Sequence, residues 1–201
     1  MILEMFIDLA SPYAYLGLVR MLSHGDAARI HWHPVDVEAL KRAAGNVGPP
    51  LRQMPAKLRY ARQDVARWAA RYGVPFSEAA SCAAAPRLNR GTYFAIDRGA
   101  AATYLRTAAR RVWAEGGDPE SEALLRDLSR ELGWDAGDFL RFVSSPAAFH
   151  RERLSLARAR EAGAFGVPTA VVGGRLWWGN DRLFLAEAAW AGGENQGSEH
   201  G

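Results

Sequence analysis

Residues 6–16, Phe-Ile-Asp-Leu-Ala-Ser-Pro-Tyr-Ala-Tyr-Leu, constrain the fold of this chain more than any other stretch. Ile2, Leu3, Met5, Phe6 and Ile7 form an apolar run of strand length. Ser11 then stands where a helix takes its N-cap, and Pro12 where a helix tolerates proline, at its first position. Tyr15, Leu16, Val19 and Leu22 recur at helical spacing and would face a core. A hydroxyl is thereby set at the positive end of a helix, just past a strand's carboxyl end. Ser11 is either a cap and nothing more, or part of a place where converging N–H groups favour an anion.

The rest of the chain continues that beginning. The first helix is expected over residues 12–24, and the alternation at residues 30–35 reads as a second strand. Strand, helix, strand at this spacing is a parallel unit with a crossover helix. The strand signal then vanishes for more than a hundred residues. Helices are expected over residues 37–44, 55–72 and 91–115, then from an Asp118-Pro119 cap to Leu132, from Asp135, and from Ser145-Pro146 towards Ala162. Residues 45–50 form a turn-rich loop, and residues 76–90, which lack a period, are expected to be a loop with Cys82 inside it. Strands return at residues 169–172 and 175–178 around Gly173-Gly174, the signature of a hairpin. Asn180 is the expected N-cap of a last helix, with Asp181 in its first turn.

The order is β-α-β, a helical insertion, then β-β-α. The expected fold is α/β, a thioredoxin-like domain of residues 1–37 and 160–191 interrupted by an all-helical insertion domain of residues 38–159. Residues 192–201 are expected to be a polar, disordered tail.

Composition excludes several functions. A net charge of +3 suits a small anion but is too weak a surplus for nucleic acid. Nothing approaches the ~20 apolar residues that span a bilayer, so no membrane partner is expected. The apolar run near the start contains Glu4 and Asp8 and lacks a basic lead, so it does not read as a signal peptide. Cys82 is the single cysteine; no internal disulfide can form, and a cytoplasmic location is expected. His31 and His33 lack accompanying ligands at zinc-like spacing, so no metal is expected.

In the thioredoxin arrangement three elements converge: the Ser11 turn, Val167-Pro168 ahead of a strand, and Gly179-Asn180-Asp181. In such folds this proline is cis, and the residue before it keeps its backbone open to a peptide-like ligand. Redox members carry Cys-x-x-Cys where this chain reads Ser11-Pro12-Tyr13-Ala14. Without either sulfur the protein itself cannot exchange disulfides, and a nucleophile must come from outside. Glutathione, a thiol with a carboxylate at each end, matches the three places. Ser11 would donate to its sulfur and favour the thiolate. Asp181 could pair with the α-amino group, and Asn180 could hold the adjoining carboxylate.

The motifs at residues 8–16, 41–49, 67–69, 165–169 and 177–183 resemble the 2-hydroxychromene-2-carboxylate isomerase family, relatives of kappa-class glutathione transferases and DsbA-type oxidoreductases. The resemblance spans the chain as far as Ala191. It implies glutathione as cofactor and a homodimer. It also implies interconversion of 2-hydroxychromene-2-carboxylate and trans-o-hydroxybenzylidenepyruvate, a step of naphthalene breakdown. By that resemblance Ser11 is the catalytic contact to sulfur. Val167, Pro168, Trp178, Gly179, Asn180 and Asp181 complete the glutathione site. Lys41, Asn46 and Arg52 fall where the small anionic aromatic substrate is held, with Arg87 and Asn89 as weaker candidates. Ser81-Cys82-Ala83 departs from the family pattern and bears on the aromatic contacts. Two alternatives keep the same fold: a kappa-like transferase acting on another electrophile, and a glutathione-binding protein without catalysis.

Overall fold

The computed structural model describes residues 2–24, 29–49, 51–77 and 84–195. Ser81-Cys82-Ala83 and residues 196–201 lie outside them. Strand β1 (Leu3–Ile7) leads into helix α1 (Pro12–Leu22), and β2 (Ile30–Pro34) returns parallel to β1 with Leu3 opposite Ile30 and Ile7 opposite Pro34. Strand β3 (Thr169–Val172) runs antiparallel to β1, with Phe6 opposite Thr169, and β4 (Arg175–Trp178) closes the four-stranded sheet in the order β2-β1-β3-β4. Gly173 and Gly174 have φ of 55° and 76°. The turn between β3 and β4 thus needs two left-handed residues, which glycine supplies without steric cost.

Between the two halves of the sheet run α2 (Val37–Ala43), α3 (Pro55–Tyr72), α4 (Pro86–Ile96), α5 (Ala101–Ala109), α6 (Glu122–Glu131), α7 (Ala136–Val143) and α8 (Pro146–Glu161). Three expectations need correction. The single long helix over residues 91–115 is two, α4 and α5 with a terminal π turn Arg110–Ala114; α4 starts at Pro86, within the stretch expected to be a loop, and the chain breaks at Gly99, whose φ is 65°. Helix α6 is capped by Ser121, whose hydroxyl accepts from the Leu124 amide, and not by Asp118-Pro119. The last helix, α9 (Leu183–Asn195), continues past Gly192, where a tail was expected to begin.

One buried cluster joins Leu3, Met5 and Phe6 of the sheet to Tyr104, Leu125 and Phe139 of the helices, so the sheet and the inserted helices share a core. Helix α3 stands apart: only Val65 and Ala69 are buried on it, in a small cluster with Leu16 of α1. Both edges of the site grow from this framework, because β1 and β3 end and begin beside each other.

Candidate functional site

The turn between β1 and α1 is held from every side. Ser11 N donates to the Asp8 carbonyl at 2.9 Å, closing it. The Asp8 side chain, 3% exposed, accepts from Ala10 N at 2.9 Å, Val37 N at 2.9 Å and Asn89 Nδ2 at 2.8 Å. Burial pushes the Asp8 carboxyl above the usual range, and these three donors oppose that shift. Asn89 Oδ1 accepts from Leu9 N at 3.0 Å, and Trp113 Nε1 donates to the Leu9 carbonyl at 2.9 Å.

Ser11 caps α1 as expected: its Oγ accepts from Ala14 N at 3.3 Å, with extended backbone at φ −101° and ψ 121°. Among the described residues the hydroxyl has no other partner, so its proton is available to donate. The Tyr13 hydroxyl donates to Asp64 Oδ2 at 3.0 Å; burial and that carboxylate push the phenol up, and it stays protonated.

Helix α1 lies directly on the proline. A methyl group at Gly17 would come within 3.0 Å of Pro168 Cγ and 3.2 Å of Leu183 Cδ1. Glycine is what lets the first helix, the proline and the start of the last helix meet. The Val167-Pro168 peptide is cis. Val167 is 8% exposed, and neither its N–H nor its C=O has a hydrogen-bond partner among the described residues. Buried backbone groups are nearly always paired, so the two open groups of Val167, beside α1, stand out among the described residues.

The third element starts from the proline: Gly179 N donates to the Pro168 carbonyl at 2.9 Å. Gly179 itself, at φ 99°, is the N-cap of a short 3-10 turn Asn180–Arg182 that feeds α9. The expectation that Asn180 is the cap is therefore corrected: Asn180 sits inside the turn, and no side chain caps it. Asn180 is 3% exposed with its Nδ2 unpartnered, and its carbonyl accepts from the Tyr72 hydroxyl at 3.3 Å. Asp181 is half-buried and pairs with the exposed Arg182 at 2.8 Å. The Trp178 ring lies over Gly166, where a methyl group would come within 2.7 Å of its Nε1, and against Phe165 at 5.0 Å.

The residues assigned to the acidic substrate are more loosely placed. Lys41 pairs with Glu38 at 2.8 Å on the surface of α2, and Asn46 follows in the exposed loop, its N–H bonded to the Lys41 carbonyl. Arg52 lies in the one-turn helix Leu51–Gln53; its side chain is outside the description. Asn89 is not available to a substrate, since both ends of its amide are engaged. A cavity of about 710 Å³ opens between Ala43 and Ala44 of the α2 end and Arg160, Ala164 and Phe165 ahead of the proline. Sequence reasoning missed Asp8, Gly17, Tyr72 and Trp113. Only Asp8 carried a local signal, an acidic residue at the end of an apolar strand.

This is a thioredoxin fold in which Ser11-Pro12-Tyr13-Ala14 stands where redox members carry Cys-x-x-Cys, so the turn holds no sulfur of its own for disulfide exchange. The DSBA-like thioredoxin domain matches residues 2–191. The 2-hydroxychromene-2-carboxylate isomerase of Pseudomonas putida is 39% identical over 191 residues, covering 94% of each chain. A solved 2-hydroxychromene-2-carboxylate isomerase superposes over 100% of both chains with TM-score 0.89 at 35% identity. The cytosolic disulfide reductase DsbM of Pseudomonas aeruginosa, solved with GSH, shares the fold at TM-score 0.66 and 22% identity over 98% of both chains. The chain belongs to the DSBA-like thioredoxin family and, within it, to the 2-hydroxychromene-2-carboxylate isomerases.

Proposed function

We propose that this chain is a glutathione-dependent isomerase interconverting 2-hydroxychromene-2-carboxylate and trans-o-hydroxybenzylidenepyruvate, in the cytoplasm and as a homodimer. The observation that carries the reading is the pairing of a free serine hydroxyl at a helix start with the unpaired backbone of Val167, on elements that touch at Gly17. Glutathione fits these residues: a hydroxyl and a helix N-terminus for the sulfur, Val167 for the peptide, and the unpartnered Asn180 amide for a carboxylate.

When bound, glutathione would supply a thiolate nucleophile, the chemistry needed for reversible addition to a conjugated double bond, and Ser11, Val167 and Asn180 are the residues that would hold it. The chain's own residues make that reversible addition possible. Ser11 donates to the sulfur, and the N-terminus of α1 adds its positive end, so the ionised sulfur is favoured over the thiol. Each unit by which the thiol pKa falls is worth ~1.4 kcal/mol. Val167 aligns the peptide, and Trp178 covers Gly166 beside it. A cation close to the pyruvyl carboxylate holds the acid and steadies enolate-like charge; Lys41 is the first candidate and Arg52 the second.

The test follows the absorbance of the chromene carboxylate with enzyme, with and without glutathione. Turnover that needs the thiol is expected; equal turnover after all small thiols are removed contradicts the reading. Light scattering of the purified chain checks the homodimer, for which exposed Phe149, Leu154, Phe184 and Leu185 offer apolar surface.

A further inference from the structure

The strand-to-helix turn is held by residues far from it in sequence. Leu9, two residues before Ser11, has its N–H bonded to Asn89 of α4 at 3.0 Å and its carbonyl bonded to Trp113 of the π turn at 2.9 Å. Asn89 turns its Nδ2 to Asp8, whose other oxygen takes the first amide of α2 at Val37. Asp8, Asn89 and Trp113 are 3%, 3% and 4% exposed. A buried carboxylate without an adjacent cation is costly unless every lone pair is engaged, so such a network is kept rigid or lost altogether. Val37 N, Asn89 Nδ2 and Trp113 Nε1 donate into the turn from α2, α4 and the π turn, and Asn89 Oδ1 accepts from it at Leu9 N, so each end of the turn before the cap of α1 is tied to a helix of the insertion or its border.

We propose that Asp8, Asn89 and Trp113 are positioning residues through which the helical insertion sets where the Ser11 hydroxyl stands. The inference rests on the reading of Ser11 as the sulfur contact. The network touches neither reactant. It fixes the Leu9 peptide and the Asp8 side chain, these fix Ala10 and Ser11 through their amides, and a hydroxyl on a rigid cap donates along one direction. A small displacement suffices to matter, because misplacement by ~1 Å can cost about a hundredfold in rate. The same carboxylate anchors the first turn of α2, which carries Lys41, so both ends of the site are referred to one buried group.

Trp113→Phe and Asn89→Ala in the full chain test this. Trp113, whose native ring stacks on Phe76 at 6.2 Å, loses its N–H and part of its ring volume in Trp113→Phe, so a fall in melting temperature is expected from the cavity alone and the exchange and pH readouts carry the test. In both variants kcat is expected to fall, roughly tenfold or more for Asn89→Ala. The pH midpoint of kcat/KM should move up, and KM for the chromene should change by less than about twofold. Independently of turnover, amide hydrogen exchange in the ligand-free chain should quicken at Leu9, Ala10 and Ser11 while the β3–β4 amides stay unchanged. Unaltered exchange at these three amides, or wild-type kcat and pH midpoint with only a lowered melting temperature, overturns the proposal. If Asn89→Ala fails to fold, Trp113→Phe alone decides. Wild-type enzyme without glutathione-dependent turnover would sink the functional reading, and the exchange data would still stand or fall alone.

Discussion

Two helix starts meet the segment around Pro168, and they are held in different ways. At the first, the turn before Ser11 is fixed from α2, α4 and the π turn through buried, paired groups. At the second, the turn at Gly179 hangs from Pro168 by one amide and from α3 by the Tyr72 hydroxyl, with Asp181 half-buried and Arg182 exposed. The first carries the hydroxyl that would touch sulfur; the second offers groups suited to the peptide's carboxylate and amine. Under the proposed function, the more heavily bonded turn is the one whose geometry would govern charge stabilisation, and the more lightly bonded one would receive the peptide.

The contrast can be broken at either end. Ser11→Ala should have the largest effect. A hydrogen bond to a charged group contributes about 1.5–3 kcal/mol, so kcat/KM should fall roughly ten- to a hundredfold by steady-state kinetics. The lost cap should lower stability by only about 1 kcal/mol. Gly179→Ala acts at the other end. At φ 99° and ψ 144° a side chain is strained by about 1–3 kcal/mol, and glutathione affinity measured by calorimetry should drop up to about a hundredfold.

Smaller effects sharpen the contrast. Tyr72→Phe removes one neutral bond to the Asn180 carbonyl, about 0.5–1.5 kcal/mol. KM for glutathione should rise a fewfold in kinetic assays while kcat holds. A kcat loss instead would mean that the second turn also governs chemistry. The smallest effect is a control on the sheet. His33, stacked on Phe6 and 3.2 Å from Glu4, is pushed below its ordinary 6.5 by burial, while Arg158 lowers Glu4 below 4.5. Below 6.5 the unfolded chain takes up the imidazole proton more readily than the folded one, so stability falls with pH. His33→Gln should flatten melting temperatures between neutrality and pH ~5 and leave the Glu4 loss at lower pH, with activity at neutral pH unchanged.

Much of this arrangement is legible in the sequence. The β1–α1 turn, the Gly173-Gly174 hairpin and the Ser145 cap are local devices, and local chemistry reads them. Thioredoxin topology followed from the order of the strands. Interior breaks were harder: Gly99 splits α4 from α5 because a left-handed residue ends a helix, yet glycine within an apolar period looks tolerable. Asn180 looked like a cap because its type suits one, but Gly179, at a φ that only glycine accepts freely, takes that place. Asn89, Trp113 and Tyr72 act across 80, 104 and 108 residues of sequence, and no periodicity reports such contacts.

The central claim is that this protein brings no working sulfur and tunes a borrowed one through Ser11. Its most direct test is a pH titration of the ultraviolet thiolate absorption of glutathione bound to wild type and to Ser11→Ala. The account predicts a thiol pKa well below that of free glutathione in wild type, returning by about a unit or more towards it in the variant. The same pKa in both proteins, or one equal to the free thiol in wild type, would contradict it.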